Sequence, residues 1–136
     1  MFCEIVKGVT GSHVVYQDKE YIAILDKYPI AIGHTLVMPK KHFERVNDLS
    51  LREFGDLYVR VYTLNRIITS RLGASASHIS INDGAAANQL IPHVHVHIIP
   101  RSRNDSAGFT ARKLVREVEM VELVKKLQVR DLGIET

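Results

Sequence analysis

The sequence predicts an α+β domain with a mainly antiparallel sheet of about five strands, one long helix and a C-terminal helix. Three observations carry this. Short alternating runs are punctuated by Gly, Pro, Asn and Asp, a stretch between Ser50 and Gly73 repeats apolar residues at spacings of three and four, and two further alternating runs precede a last amphipathic stretch.

His13 to Tyr16 and Tyr21 to Leu25 read as strands joined by the polar loop Gln17 to Glu20, a hairpin. A loop from Asp26 through Gly33 leads to a third strand, Thr35 to Met38, which Pro39 closes. Ser50-Leu51-Arg52-Glu53 fits a capping box, in which the hydroxyl and the carboxylate each satisfy an orphan N–H of the first turn. The helix that starts there carries Leu51, Phe54, Leu57, Val61, Leu64, Ile68 and Leu72 as its apolar stripe, and Gly73 ends it. His78 to Asn82 alternate as a fourth strand, with Ile79 and Ile81 on one face and His78, Ser80 and Asn82 on the other. Asn82-Asp83-Gly84 breaks it, an alanine-rich loop follows, and His93 to Ile99 form a fifth strand that Pro100 stops. Thr110 can cap a final helix, with Phe109 and Leu114 as a staple and Leu114, Val118, Val121 and Val124 as its stripe; residues after about 128 read as a tail.

The 136 residues are expected to form one domain, 1–136, without internal repeats. Eighteen Lys plus Arg against 15 Asp plus Glu give a net charge of +3 spread along the chain, which permits anionic ligands without selecting them. The longest basic cluster, Lys40-Lys41 followed by His42, falls short of a nucleic-acid patch, so no nucleic-acid partner is expected. Cys3 is the only cysteine, which excludes an intramolecular disulfide and suits a cytoplasmic location. No stretch of 18 uncharged apolar residues and no signal-peptide pattern occurs, so no membrane association is expected.

Three of the seven histidines fall within five residues. On a strand His93, His95 and His97 share one face, neighbouring rings roughly 6.5–7 Å apart, while Val94 and Val96 anchor the other face. Three imidazoles are costly to line up for packing alone, because each needs hydrogen-bond partners when buried. Two chemistries suit the array: metal ligation, which could recruit His34, His42 or Cys3, and nucleophilic attack at phosphorus through a phosphoramidate. Asn82 and Gln89 as amide donors, Gly84 as a point of close backbone approach, and the lack of a carboxylate between Gly84 and Pro100 lean toward phosphorus.

The run His93-Val94-His95-Val96-His97-Ile98-Ile99 resembles the signature of the histidine triad (HIT) family. The resemblance extends from Phe2-Cys3-Glu4-Ile5 through Asp26, Gly33-His34, Pro39-Lys40-Lys41-His42 and Asn82-Asp83-Gly84 to Arg101. It implies the HIT fold and a nucleotide hydrolase or transferase in which His95 attacks the α-phosphorus and water then releases a nucleoside monophosphate. His97 would meet phosphate oxygens or help the leaving group, and His93 would orient the set. Asn82 and Gln89 match positions that contact phosphate, Asp26 one that holds ribose hydroxyls, and Phe2, Ile5, Ile24 and Leu36 the apolar slot for a purine. The implied substrates are dinucleoside polyphosphates or adenosine phosphoramidates. The implied partner is a second copy, a homodimer joining two five-stranded sheets edge to edge. No cofactor or metal is implied for the covalent step, although a divalent cation could accompany a polyphosphate. Pro100-Arg101 resembles the polyphosphate-cleaving Fhit-like branch and its prokaryotic relatives more than the Hint-like branch.

Two positions depart from the family pattern. Leu90 stands where many relatives have Ser or Thr, removing a hydroxyl that an amine leaving group needs more than a pyrophosphate does, and Asn88 replaces a frequent glycine. Cys3 alone matches a CxxC pair that binds structural zinc in several relatives, so with His42 and His93 a structural zinc is disfavoured. Competing readings are a nucleotide-binding sensor or scaffold with little turnover, and a metalloenzyme with His93 and His95 as ligands. Residue by residue, Ile24 and Leu36 would be buried in most folds of this chain, Asp26, Asn82 and Gly84 also suit turns, and His34 and His42 also read as structural histidines.

Overall fold

A computed structural model of the chain describes residues 13–102 and 117–134. Strands β1 (Val14–Gln17) and β2 (Tyr21–Leu25) form the expected hairpin. Asp18 builds its turn by accepting the N–H groups of Glu20 and Tyr21, each at 2.9 Å. β3 (Thr35–Pro39), β4 (Ala76–Ile81) and β5 (Val96–Arg101) complete a five-stranded sheet in the order β1-β2-β3-β5-β4, antiparallel throughout.

The long helix α1 (Leu51–Leu72) begins and ends where its caps predict. Ser50 Oγ accepts the Glu53 N–H at 3.0 Å, the Ser50 N–H reaches Glu53 Oε1 at 2.8 Å, and Gly73 terminates the helix at φ +65°. Leu57, Val61, Leu64 and Ile68 are buried against Ala23, Leu25, Val37, Val96 and Ile98 of the sheet. Leu51, expected in that stripe, is 89% exposed, because the first turn overhangs the core. The helix is also pinned to the hairpin turn. Arg60 Nε donates to Asp18 Oδ2 at 2.7 Å and the guanidinium lies 4.2 Å from the Tyr21 ring centroid. Tyr16 donates to the same carboxylate oxygen at 2.6 Å, and burial together with that bond pushes its phenol up to about 12.

Alternate residues of the strands face the other way, where Ile22, Ile24, Leu36 and Met38 form a second apolar cluster. This is the face toward which the histidines project.

Other expectations change too, beginning with the fourth strand, which runs from Ala76 to Ile81 rather than from His78 to Asn82. The fifth strand enters the ladder at Val96 rather than His93 and runs through Pro100 to Arg101. β3 ends in a proline whose carbonyl is taken by the His93 ring instead of a ladder N–H, while the Val94 N–H turns to the Phe43 carbonyl at 2.7 Å. Pro100 is tolerated because β3 pairs with β5 only over Val96 to Ile98, leaving residue 100 beyond the reach of that neighbour. The C-terminal helix α2 (Glu117–Leu127) buries Met120 and Leu127, with Leu123 and Val124 partly covered, whereas Val118 and Val121 of the expected stripe are exposed. Thr110, Phe109 and Leu114 lie outside the described residues. Finally, the segment after α2 docks: the Val129 N–H donates to the Val15 carbonyl at 2.8 Å, and Val129 and Leu132 pack on the core. The tail expected after residue 128 is therefore part of the domain at least to Leu132.

Candidate active site

Val94 and Val96 are buried in the core while His95 and His97 bring their rings together on the opposite side; His93 precedes the ladder in a bend. The rings of His95 and His97 converge to a centroid separation of 4.9 Å, closer than backbone spacing alone sets, because their side chains lean together.

The hydrogen bonds assign the protons. His95 Nδ1 lies 2.8 Å from the His93 carbonyl, which can only accept, so Nδ1 carries the proton and the lone pair sits on Nε2. His93 Nε2 likewise donates to the Pro39 carbonyl at 2.8 Å. His93 therefore orients the nucleophile candidate through its main chain, while its ring anchors the site to the end of β3 and meets His42 edge to face at 5.3 Å. Burial drives the His93 imidazole below its ordinary value, outweighing the Pro39 bond, which favours the charged form.

A fourth histidine completes the array. The Ile30 N–H donates to His34 Nδ1 at 3.1 Å, which leaves the proton of His34 on Nε2, and that nitrogen is 2.9 Å from His97 Nδ1. His97 must accept there, so its own proton is on Nε2. Two neighbouring rings thus present opposite chemistry: an Nε2 lone pair on His95 and an Nε2 proton on His97. The sequence offers His34 as a structural histidine or a metal ligand, not as a partner of His97. Leu36 pairs with His97 across the β3–β5 ladder, which puts His34 on the diagonal from His97, a relation that only the register reveals. Asp26 stands beside it, Oδ2 3.8 Å from His34 Nε2, while Oδ1 accepts the Tyr28 N–H at 2.9 Å.

The loop after β4 is built differently from expectation. Gln89 spends its amide on scaffolding: Nε2 donates to the carbonyls of Glu44 at 2.7 Å and Ile91 at 3.1 Å, and Oε1 accepts the Gly84 N–H at 2.7 Å. Asn82 Nδ2 donates to the Ala87 carbonyl at 2.6 Å. In this structure both amide hydrogens of Gln89 and one of Asn82 go to main-chain carbonyls of the loop and its neighbours. Asn88 adopts φ +67°, the left-handed conformation that a glycine takes without cost. Leu90 is 91% exposed at the rim. Asp83 accepts from the Val46 N–H at 2.9 Å and from Arg45 Nε at 3.0 Å; these bonds, against slight burial, hold its carboxyl below the usual range.

Ile24 and Leu36 face each other in the β2–β3 register and are buried in the cluster on the histidine face. Phe2, Ile5 and Cys3 lie outside the described residues. A cleft of about 770 Å³ between the Asp26–His34 loop and α2 reaches Asp26 and His34 but not Ile24 or Leu36. Among the described residues no three His, Cys, Asp or Glu side chains are grouped to hold a metal ion, and no helix is long and apolar enough to cross a membrane.

Comparison with known proteins identifies the family. A model of the HIT domain matches residues 7–104. The chain is 44% identical over 99 residues to the asymmetrical bis(5'-nucleosyl)-tetraphosphatase of Schizosaccharomyces pombe, covering 73% of this chain and 54% of that protein. It is 32% identical over 105 residues to the adenylylsulfatase HINT3 of Arabidopsis thaliana, covering 77% and 53%. The chain thus spans about half the length of these two enzymes. The crystal structure of a hypothetical histidine triad nucleotide-binding protein from Sulfolobus tokodaii superposes with a TM-score of 0.86 at 35% identity, covering 93% of this chain and 87% of that one. With the family model spanning most of its length and this fold beneath the histidines, the chain belongs to the HIT family.

Proposed function

We propose that the protein hydrolyses adenylylated nucleotides at the α-phosphate through a nucleotidyl-histidine intermediate and releases a nucleoside monophosphate. The observation that carries the reading is the fixed pairing of an Nε2 lone pair on His95 with an Nε2 proton on His97, rings 4.9 Å apart. In the first step His95 Nε2 attacks the α-phosphorus, an N–P bond forms, and the bond to the leaving-group oxygen breaks with its electron pair. The His97 Nε2–H donates a hydrogen bond to a phosphoryl oxygen as negative charge builds there. In the second step water attacks phosphorus, the N–P bond breaks, and the proton from water leaves to solvent or to the phosphate released. No metal or cofactor enters either covalent step, although a divalent cation could accompany a polyphosphate.

The His34 bond keeps the His97 proton on Nε2, from which it donates to an oxyanion. Leaving groups that depart as oxyanions therefore suit this site, and both named enzyme relatives are named for such substrates, a bis-nucleosyl tetraphosphate and an adenylyl sulfate. Amines, which need a proton, suit it less, the more so with Leu90 in place of a hydroxyl. The nucleoside is assigned to Asp26 and to the apolar cluster that holds Ile24 and Leu36.

The protein is further proposed to act in the cytoplasm as a homodimer. Among the described residues Val129 bonds onto the β1 edge of the sheet and β4 is the opposite edge strand, with Ile79 exposed, and the pairing is assigned to β4. A monomer by sedimentation at micromolar concentration would refute the dimer.

The test of the reaction is chromatography of products from diadenosine tetraphosphate and adenosine phosphoramidate, with wild type and His95→Ala, with and without chelator. AMP from the tetraphosphate, lost in His95→Ala and insensitive to chelation of protein-bound metal, is expected. AMP binding without any product would mean a sensor, and loss of activity together with a stoichiometric metal would mean a metalloenzyme.

A further inference from the structure

Arg45 is held in a manner that an ordinary surface ion pair does not require. Its Nε bonds to Asp83 Oδ1 at 3.0 Å, and the pair is far from buried, with side-chain exposures of 48% and 32%; such pairs contribute only about 0–1 kcal/mol to stability. Yet the fold gives up conformational freedom to place it. Gly84 sits at φ +96°, and a Cβ there would stand 2.8 Å from Arg45 Cζ, so the guanidinium lies directly on a backbone that only glycine can offer. Asp83 is itself fixed by the Val46 N–H, and Gln89 ties the Gly84 N–H to the Glu44 carbonyl. Among the described residues, Nη1 and Nη2 have no hydrogen-bond partner, which leaves four of the five guanidinium protons available.

Arg45, Gly84, Gln89, Leu90 and Pro92, with Glu44 at the margin, enclose a cavity of about 270 Å³. Pro92 is three residues before His95, and three residues of extended chain span at most about 11 Å. The Cα of Pro92, in the cavity wall, therefore lies no more than about 11 Å from that of His95, a separation comparable to the length of a short polyphosphate chain. The cavity's other wall is Leu90, a side chain 91% exposed that has nothing to cover in the protein alone.

We propose that Arg45 and Leu90 form a leaving-group subsite, in which the Nη1–Nη2 edge binds a non-transferred phosphate and Leu90 covers the face of the distal base. This rests on the nucleotidyl-transfer reading above and narrows it to leaving groups that carry phosphate, with dinucleoside polyphosphates as the class. Asp83 positions the guanidinium, and its charge is shared with the Val46 N–H. A phosphate enters as the second anion on a planar fork suited to bidentate contact.

The test is calorimetric binding of AMP, ATP and diadenosine tetraphosphate to the His95→Ala protein, with and without Arg45→Ala, Arg45→Lys and Leu90→Ser. Loss of Arg45 is expected to weaken diadenosine tetraphosphate relative to AMP by about tenfold to a hundredfold, with Arg45→Lys recovering part of it. Leu90→Ser is expected to weaken diadenosine tetraphosphate severalfold relative to ATP. Equal weakening of AMP and the tetraphosphate would show that Arg45 only braces the loop, and no change in their ratio would show that it touches no leaving group; either overturns the subsite while the parent reading stands. Binding of none of the three ligands would overturn both.

Discussion

The proton assignment on His97 depends on one bond, and exchanging His34 for the two amides separates what that bond does. In His34→Asn the side-chain oxygen can stand in for Nδ1 and keep the Ile30 N–H, now 3.1 Å from that nitrogen, while the donor 2.9 Å from His97 Nδ1 is lost. In His34→Gln the amide nitrogen can stand in for Nε2 and keep the donor to His97, at the expense of Ile30. His34 is 1% exposed, so each lost partner leaves a buried group unsatisfied, costing about 1–3 kcal/mol. Both variants should therefore lose similar stability in urea melts. Only the asparagine variant frees His97 to shift its proton to Nδ1 and take the donor away from the phosphoryl oxygen. If that loss falls on the transition state, 1–3 kcal/mol corresponds to about 5- to 150-fold in rate. The assay is kcat and KM for AMP release from diadenosine tetraphosphate, alongside nitrogen NMR of the histidine rings, which reports the His97 tautomer directly. The expected result is a fall in kcat for His34→Asn with KM little changed, a shift of the His97 Nε2 and Nδ1 signals, and substantial recovery in His34→Gln. Equal kcat losses in the two variants, or a His97 tautomer unchanged in His34→Asn, would refute the chain of assignment.

Three other outcomes follow from the geometry. Arg60→Met keeps the aliphatic stem but leaves Asp18 and Tyr16 without the buried cation, and should cost about 2–4 kcal/mol by urea denaturation; a loss under 0.5 kcal/mol would show the network is incidental. Gly84→Ala should cost about 1–3 kcal/mol because φ +96° is strained for any side chain and its Cβ meets Arg45; an unchanged melting temperature would contradict the close approach. Because burial lowers the His93 imidazole below 6.5, the unfolded chain binds more protons just below that pH, so stability should rise with pH up to about 6.5 and fall as pH drops below it. Urea midpoints between pH 5 and pH 8 should show that slope in wild type and a shallower one in His93→Gln; identical slopes would exclude His93 as its source.

Local chemistry made much of the molecule legible in the residues. Ser50 and Glu53 had to cap a helix and Gly73 had to end it, because those groups satisfy backbone donors and acceptors within one turn of themselves. Alternation likewise placed His95 and His97 together with Val94 and Val96 on the core side, since extended chain has period two. The exposed stripe of α2 and the docked segment after it were not legible. Which face of a short amphipathic helix is buried depends on where β1 and α1 receive it, and Met120 and Leu127 serve that purpose as well as valines would.

The chemistry of the site divides along the same line. The residue types and spacing by themselves determined that imidazoles would stand together over an apolar strand. Only the tertiary structure decided which of their nitrogens hold protons, because those are set by a carbonyl on β3, a main-chain carbonyl within the triad, and a histidine brought from 63 positions away in sequence. The same holds for Gln89 and Arg45. A sequence states that an amide and a guanidinium exist, but whether each is spent inside the fold or left facing outward depends on which backbone groups other segments deliver to it. Hydrogen-bond partners are chosen by proximity in space, and proximity in space is what folding, not composition, supplies.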